Sequence, residues 1–167
     1  AARTALSEGI TRYGPAAGDP ELRLAVAEKL TKENGIPTTS DQVLITNGGK
    51  QAIFNLLQVL LNPGDEVLLP APYWLSYPEM AALAGARTIT IPSTADDGFQ
   101  LDLKALESRI SSKSRLLILN TPSNPTGRVM QRSELEQLAE LVGRHPNLMV
   151  MCDEIYEYLL ADGLTHH

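Results

Sequence analysis

At 167 residues, with 43% hydrophobic and 20% charged side chains, the chain has the length and composition of one globular domain of ordinary core size. A net charge of −6, with no basic stripe, argues against a nucleic-acid backbone or an anionic membrane surface as a partner. Its longest apolar stretches, such as Val59-Leu60-Leu61, are too short to span a bilayer and no signal-peptide pattern opens it, so we expect a cytoplasmic protein.

In chain order, Ala1 to Gly18 is rich in small residues and reads as an N-terminal loop segment (1–18) ahead of the main body (19–167). Asp19 can cap a helix that begins at Pro20, carries Leu22, Val26 and Leu30 on one face, and stops at Asn34-Gly35. Val43 to Thr46 reads as a short strand that passes through Asn47-Gly48-Gly49-Lys50 into a helix with Ile53, Leu56, Leu57 and Leu60 at helical spacing. Strands are expected at Glu66 to Leu69 and Ala86 to Ile91, separated by the loop Pro70-Ala71-Pro72-Tyr73-Trp74 and a helix to about Ala84. Asp96-Asp97-Gly98 turns into a helix with Leu103, Leu106 and Ile110, which feeds a central strand at Leu116 to Leu119. Ser133 and Glu136 suggest a capping box for a helix with Leu135, Leu138, Ala139 and Val142 inward, and Leu148 to Cys152 is the last clear strand. Such alternation predicts an α/β fold: a mainly parallel sheet with helices on both faces, in three α/β/α layers.

Cys152, the single cysteine, lies in an apolar run, which excludes an internal disulfide framework and favours a buried structural thiol over a nucleophile. His145, His166 and His167 lack metal-site spacing with it, and His166-His167 fit native sequence or a tag remnant equally well.

The candidate chemistry gathers at strand ends, which a parallel sheet places on one edge. After Leu116 to Leu119 comes Asn120-Thr121-Pro122-Ser123-Asn124-Pro125-Thr126-Gly127. Its prolines stiffen the loop, and the Asn124 amide could address a ligand oxygen, although Asn, Pro and Gly also serve as plain turn residues. Gly48, Gly49 and Lys50 outline a phosphate cup at a helix N-terminus or, more plainly, a strand-to-helix turn. It is not a Walker A loop, which needs glycine at Leu44 and Ser or Thr at Gln51. Trp74 could offer an indole face to a planar ring or belong to the core. Asp153, ending a buried apolar strand, requires a cation or good hydrogen bonds, for which a protonated pyridine nitrogen and a helix N-cap are both candidates. Tyr156 would share its face in a helical turn, with a hydroxyl able to reach a ligand oxygen.

Taken together, Tyr13-Gly14-Pro15, Gly18 to Arg23, Asn47 to Gln51, Pro63 to Val67, Pro72-Tyr73-Trp74, Asn120 with Asn124 to Gly127, and Asp153-Glu154-Ile155-Tyr156 resemble class I pyridoxal-phosphate (PLP) aminotransferases, most closely the bacterial aspartate aminotransferase branch. The resemblance runs along nearly the whole chain in order. It implies the large-domain fold of PLP-dependent transferases, truncated, without the small C-terminal domain. It implies Gly48, Gly49 and Lys50 at the cofactor phosphate, Trp74 stacked on the pyridine ring, Asn124 and Tyr156 on the phenolic oxygen, and Asp153 on the ring nitrogen. Trp74 and Asn124 would also border the substrate. Tyr13 resembles the tyrosine that reaches a neighbouring subunit's phosphate, so a homodimer acting on an L-amino acid and a 2-oxo acid is implied.

The Schiff-base lysine of that family lies downstream of Asp-x-x-Tyr, and the fourteen residues after Asp153 (167 − 153) contain no lysine. Lys29, Lys32, Lys104 and Lys113 fall on predicted helices or their flanks, so no catalytic residue of that kind is expected in this chain. We therefore expect a piece of the PLP-binding domain that does not turn over alone. Alternatives are a PLP-dependent C–S lyase, a non-catalytic PLP-binding regulator, or a folded scaffold without ligand affinity.

Overall fold

A computed structural model describes residues 1–161 and 163–167. The chain forms two compact units, Ala1–Ala52 and Ile53–His167.

In the first unit the segment expected to be loop contains a short helix, α1 (Ala2–Ser7), whose six residues bury no side chain. Helix α2 (Pro20–Lys32) begins as expected: the Asp19 carboxylate accepts from the Glu21 and Leu22 amides, both at 3.0 Å, and Pro20 occupies the first turn. Its buried residue is Ala27, while Leu22 is exposed. A 3-10 turn (Ser40–Gln42) follows. Residues 43–46 are not a strand: Ile45 N donates to Ala17 O at 3.0 Å, a single bond to a loop. β-branched residues make a segment extended, but only a neighbouring strand makes a ladder. Helix α3 (Gly49–Leu60) starts where expected and ends in the second unit.

The second unit is built on a four-stranded sheet of order β2-β1-β3-β4, with every pair parallel: β1 (Glu66–Pro70), β2 (Arg87–Ile91), β3 (Ser114–Asn120) and β4 (Met149–Asp153). Between them run α4 (Ser76–Leu83), α5 (Leu103–Glu107) and α6 (Arg132–Gly143). The period-2 alternation of strands divides the core in two. Val67, Leu69, Leu116 and Ile118 meet Ile53 and Leu57 of α3 and Tyr77, Met80 and Ala81 of α4 on one face. Leu68, Leu117 and Leu119 meet Leu106 of α5 and Leu138 and Leu141 of α6 on the other. The expected parallel sheet with helices on both faces is therefore present.

Three sequence expectations change in detail. The box at the start of α6 belongs to Gln131 and Glu134 rather than Ser133 and Glu136: Gln131 N donates to Glu134 Oε2 at 2.8 Å, while Glu136 pairs with Arg132 at 3.1 Å. Gln131 is the last extended residue, so the helix starts earlier than the Ser/Thr signal suggests. On α6 it is Leu141, not Ala139, that is buried with Leu138. Cys152 is exposed rather than buried, because β4 is an outer strand of the described sheet, where Met149 and Val150 are also each 40% exposed.

The chain steps from β1 outward to β2, then returns past β1 to β3. The strand order thus reverses between β1 and β3, and the C-terminal ends of such a pair open into a crevice where open α/β sheets hold ligands.

Candidate functional site

At that crevice lies a cavity of about 60 Å³ whose walls include Tyr73, Tyr77, Phe99, Asn120, Asn124 and Arg128. Pro70-Ala71-Pro72-Tyr73-Trp74 leaves β1, and Asn120 to Gly127 leaves β3. Three proline bonds in these loops are cis: Ala71–Pro72, Thr121–Pro122 and Asn124–Pro125.

The loop after β3 is held from several sides. Ser123 N donates to Arg128 O and Gly127 N to Ser123 O, both at 2.8 Å, and Met130 N donates to the buried Thr121 Oγ1 at 3.0 Å. The Arg128 guanidinium pairs with Glu134, which ties the loop's end to the start of α6. Asn124 N donates to Asn120 Oδ1 at 2.7 Å, and Asn120 Nδ2 donates to the Asp153 carbonyl at 2.9 Å. The held loop expected from its prolines is thus also held by hydrogen bonds.

Asp153 ends β4 in register with Asn120 of β3. Its Oδ2 accepts from the Tyr77 hydroxyl at 2.6 Å, across 76 residues of sequence, and its Oδ1 takes a long 3.4 Å bond from Ile155 N. Tyr77 is 1% exposed. Burial, then the hydrogen bond and the charge of Asp153, push its phenol far above the ordinary tyrosine value, so it remains a donor at all physiological pH. The Tyr77 ring stands edge-on to Trp74, with centroids 5.3 Å apart at 89°. Trp74 itself is half-buried against the core.

Trp74, Asn124 and Asp153, singled out by sequence, are therefore linked through two residues to which the sequence reading assigned no role. Tyr77 joins Trp74 to Asp153, and Asn120 joins Asp153 to Asn124. The spacing of Trp74 and Tyr77, three residues apart across the start of a helix, is the signal that could have found the first. Tyr156 lies half-buried in the turn after Asp153. Gly48, Gly49 and Lys50 belong to the first unit, where they are exposed around the start of α3; Gly48 has φ +80°, and Asn47 N donates to Gln51 Oε1 at 2.7 Å. The first amides of a helix have no intrahelical acceptor and suit an anion. Tyr13, in the same unit, is fully exposed. Among the described residues no cluster of His, Cys, Asp and Glu could hold a metal, and no helix is long and apolar enough to cross a membrane.

Comparison with known proteins agrees along the chain's length. The family model described as aminotransferase class I and II matches residues 1–166. A bifunctional aspartate aminotransferase and glutamate/aspartate-prephenate aminotransferase of Petunia hybrida is 54% identical over 162 residues, 97% of this chain and 34% of that protein. The aspartate/prephenate aminotransferase of Thermus thermophilus is 46% identical over 163 residues, 98% of this chain and 42% of its own length. The solved aspartate aminotransferase from Thermus thermophilus with maleate superimposes with a TM-score of 0.94 at 44% identity, covering 99% of this chain and 43% of that one. The chain thus spans between about a third and two-fifths of these relatives. With the sheet, the crevice and this likeness in agreement, the chain belongs to the class I and II aminotransferase family.

Proposed function

We propose that the protein to which these residues belong is a PLP-dependent aminotransferase that moves an amino group between an L-amino acid, aspartate first, and a 2-oxo acid. The observation that carries this reading is the Asp153 carboxylate: it ends a parallel strand at the ligand edge of the sheet, with Oδ2 gripped by a buried phenol and Oδ1, among the described residues, held by a single long bond.

The donor set suits PLP. Asp153 would keep the ring nitrogen protonated, Trp74 would lie on the ring, and Asn124 and Tyr156 would bond its phenolic oxygen. Gly48, Gly49 and Lys50 would take the phosphate at the start of α3. When bound, PLP supplies the electron sink that accepts the pair released at the amino acid's α-carbon. The residues of this chain contribute binding and electrostatics: Asp153 balances the charge on the ring nitrogen, Tyr77 fixes that carboxylate, and the indole excludes water from one ring face.

Residues 19–167, on this reading, are part of the large cofactor-binding domain of a cytoplasmic homodimer, with Tyr13 reaching the neighbouring subunit's phosphate. The Schiff-base lysine lies outside the chain, and the isolated 167 residues bind cofactor without turnover. A PLP titration followed by Trp74 fluorescence, then borohydride reduction and intact mass, tests this. Saturable quenching, weakened by Asp153→Ala and leaving no site-specific adduct, is expected; a folded chain that shows no saturable quenching would overturn the assignment.

A further inference from the structure

We propose that Asn120 is a positioning residue that keys the Asn124 loop to the strand end carrying Asp153, setting the two groups that would face the cofactor at a fixed separation. The role rests on the PLP reading above. Asn120 and Asp153 are register partners at the last rung of the β3–β4 pair. One amide spans both neighbours, accepting from Asn124 N at 2.7 Å and donating to Asp153 O at 2.9 Å. Asn124 N can only donate and a carbonyl can only accept, so the two partners determine which way the amide faces. A carboxylate of the same shape would keep the first bond but oppose the second, an isobutyl group would make neither, and a hydroxyl has too short a reach for both.

Closure of the loop does not depend on this side chain. The bonds of Ser123 N to Arg128 O, Gly127 N to Ser123 O and Met130 N to Thr121 Oγ1 already fold it, and the ladder pairs β3 with β4. What Asn120 adds is the link between loop and acid. A shift of either Asn124 or Asp153 is passed to the other through two bonds, and a planar ligand held at both its nitrogen and its phenolic oxygen requires that spacing.

The test uses the 167-residue chain with Asn120→Leu and Asn120→Asp, with PLP as the probe. Both variants should raise the PLP Kd about tenfold, with melting temperatures within a few degrees of wild type. In the Asn120→Leu background, Asn124→Ala should cost little further affinity, whereas Lys50→Met, at the phosphate end, should cost as much as it does in wild type. General loosening of the fold would weaken both contacts alike.

Amide exchange measured by NMR without cofactor gives a second readout. Asn120→Leu should remove protection at the Asn124 amide while Gly127 and Met130 keep theirs, and Asn120→Asp should retain it. An unchanged Kd in both variants, full additivity with Asn124→Ala, or an Asn124 amide still protected in Asn120→Leu would each overturn the role. A wild-type chain that binds no PLP would overturn the cofactor reading and this role with it; a wild type that binds and variants that bind equally well would overturn this role alone.

Discussion

Replacing Tyr77 with phenylalanine removes one oxygen and leaves the rest of the site in place. The ring, 1% exposed, keeps its packing in the core and its edge-on contact with Trp74. Lost is the 2.6 Å bond to Asp153 Oδ2. A hydrogen bond to a charged group contributes about 1.5–3 kcal/mol, and since Asp153 is half exposed and water can partly replace the donor, about 1.5 kcal/mol is the expected cost. For a chain of this size that lowers Tm by about 3–6 °C. The same bond makes an alkaline prediction. Tyr77 has its folded-state pKa raised, by burial first and Asp153 second, so its contribution is fully present below the unfolded value of about 10 and is lost as pH climbs from there toward the higher folded value. Between about pH 10 and the folded-state value the wild type loses about 1.4 kcal/mol per pH unit relative to Tyr77→Phe. The gap between the two should therefore hold from pH 7 to 9 and close near pH 11. Urea unfolding followed by far-UV circular dichroism across this range measures it directly. Equal stability at neutral pH, or a gap that stays constant through pH 11, would refute the assigned bond.

Gly18 has φ +101°, and a Cβ there would lie 2.4 Å from Ile45 Cβ, so Gly18→Ala should destabilise the first unit by about 3 kcal/mol, read by thermal unfolding; a loss under about 1 kcal/mol would contradict the close approach. Phe99, a wall of the cavity, has a left-handed backbone at φ 58°. Removing the ring by Phe99→Ala keeps that strain and Phe99→Gly releases it, so the glycine variant should be the more stable of the two by about 1 kcal/mol; the reverse order would show that the turn is not strained. Although Cys152 is exposed on β4, partial desolvation of its thiol by the surrounding chain, and then the charge of Glu154, raise it above its ordinary range. Alkylation by iodoacetamide should be slow at neutral pH, still climbing beyond about pH 8.5, and faster in Glu154→Gln; a rate that levels off below that pH would contradict the shift.

What could be read from sequence was whatever depends on local periodicity or on punctuation. The alternation of Val67-Leu68-Leu69 and Leu116 to Leu119, the Asp19-Pro20 helix start, and the proline loops at strand ends were each visible because neighbours in sequence decide them. The errors arose where a distant partner decides. Residues 43–46 have strand-forming side chains, yet a strand is defined by its neighbour, and Ile45 meets a loop carbonyl. Cys152 sits in an apolar run, yet its exposure depends on being in an outer strand. Of the site, Trp74, Asn124 and Asp153 were legible as unusual residues at strand ends. Tyr77 and the role of Asn120 were not, because each acts through a contact spanning 76 or 33 residues.

Two acids at opposite edges of the same sheet show what kind of residue Asp153 is. Glu66, 8% exposed at the start of β1, has both carboxylate oxygens engaged: Oε2 accepts from Ser111 Oγ at 2.6 Å and Ser114 Oγ at 3.4 Å, and Oε1 faces the Arg87 guanidinium at 3.5 Å. Its charge is met by a cation and its lone pairs by hydroxyls, which is how a protein keeps a buried carboxylate for structure. Asp153, ending β4, is held on Oδ2 by a neutral phenol and on Oδ1 by a long bond from a backbone amide. Those donors orient the carboxylate without neutralising it. An oriented anion at the C-terminal edge of a parallel sheet, joined through Tyr77 to an indole and through Asn120 to the Asn124 loop, suits a cation that arrives with a ligand, and the protonated ring nitrogen proposed above has that charge and shape. The asymmetry between Glu66 and Asp153, more than the presence of either acid, is what supports reading this edge as a binding site.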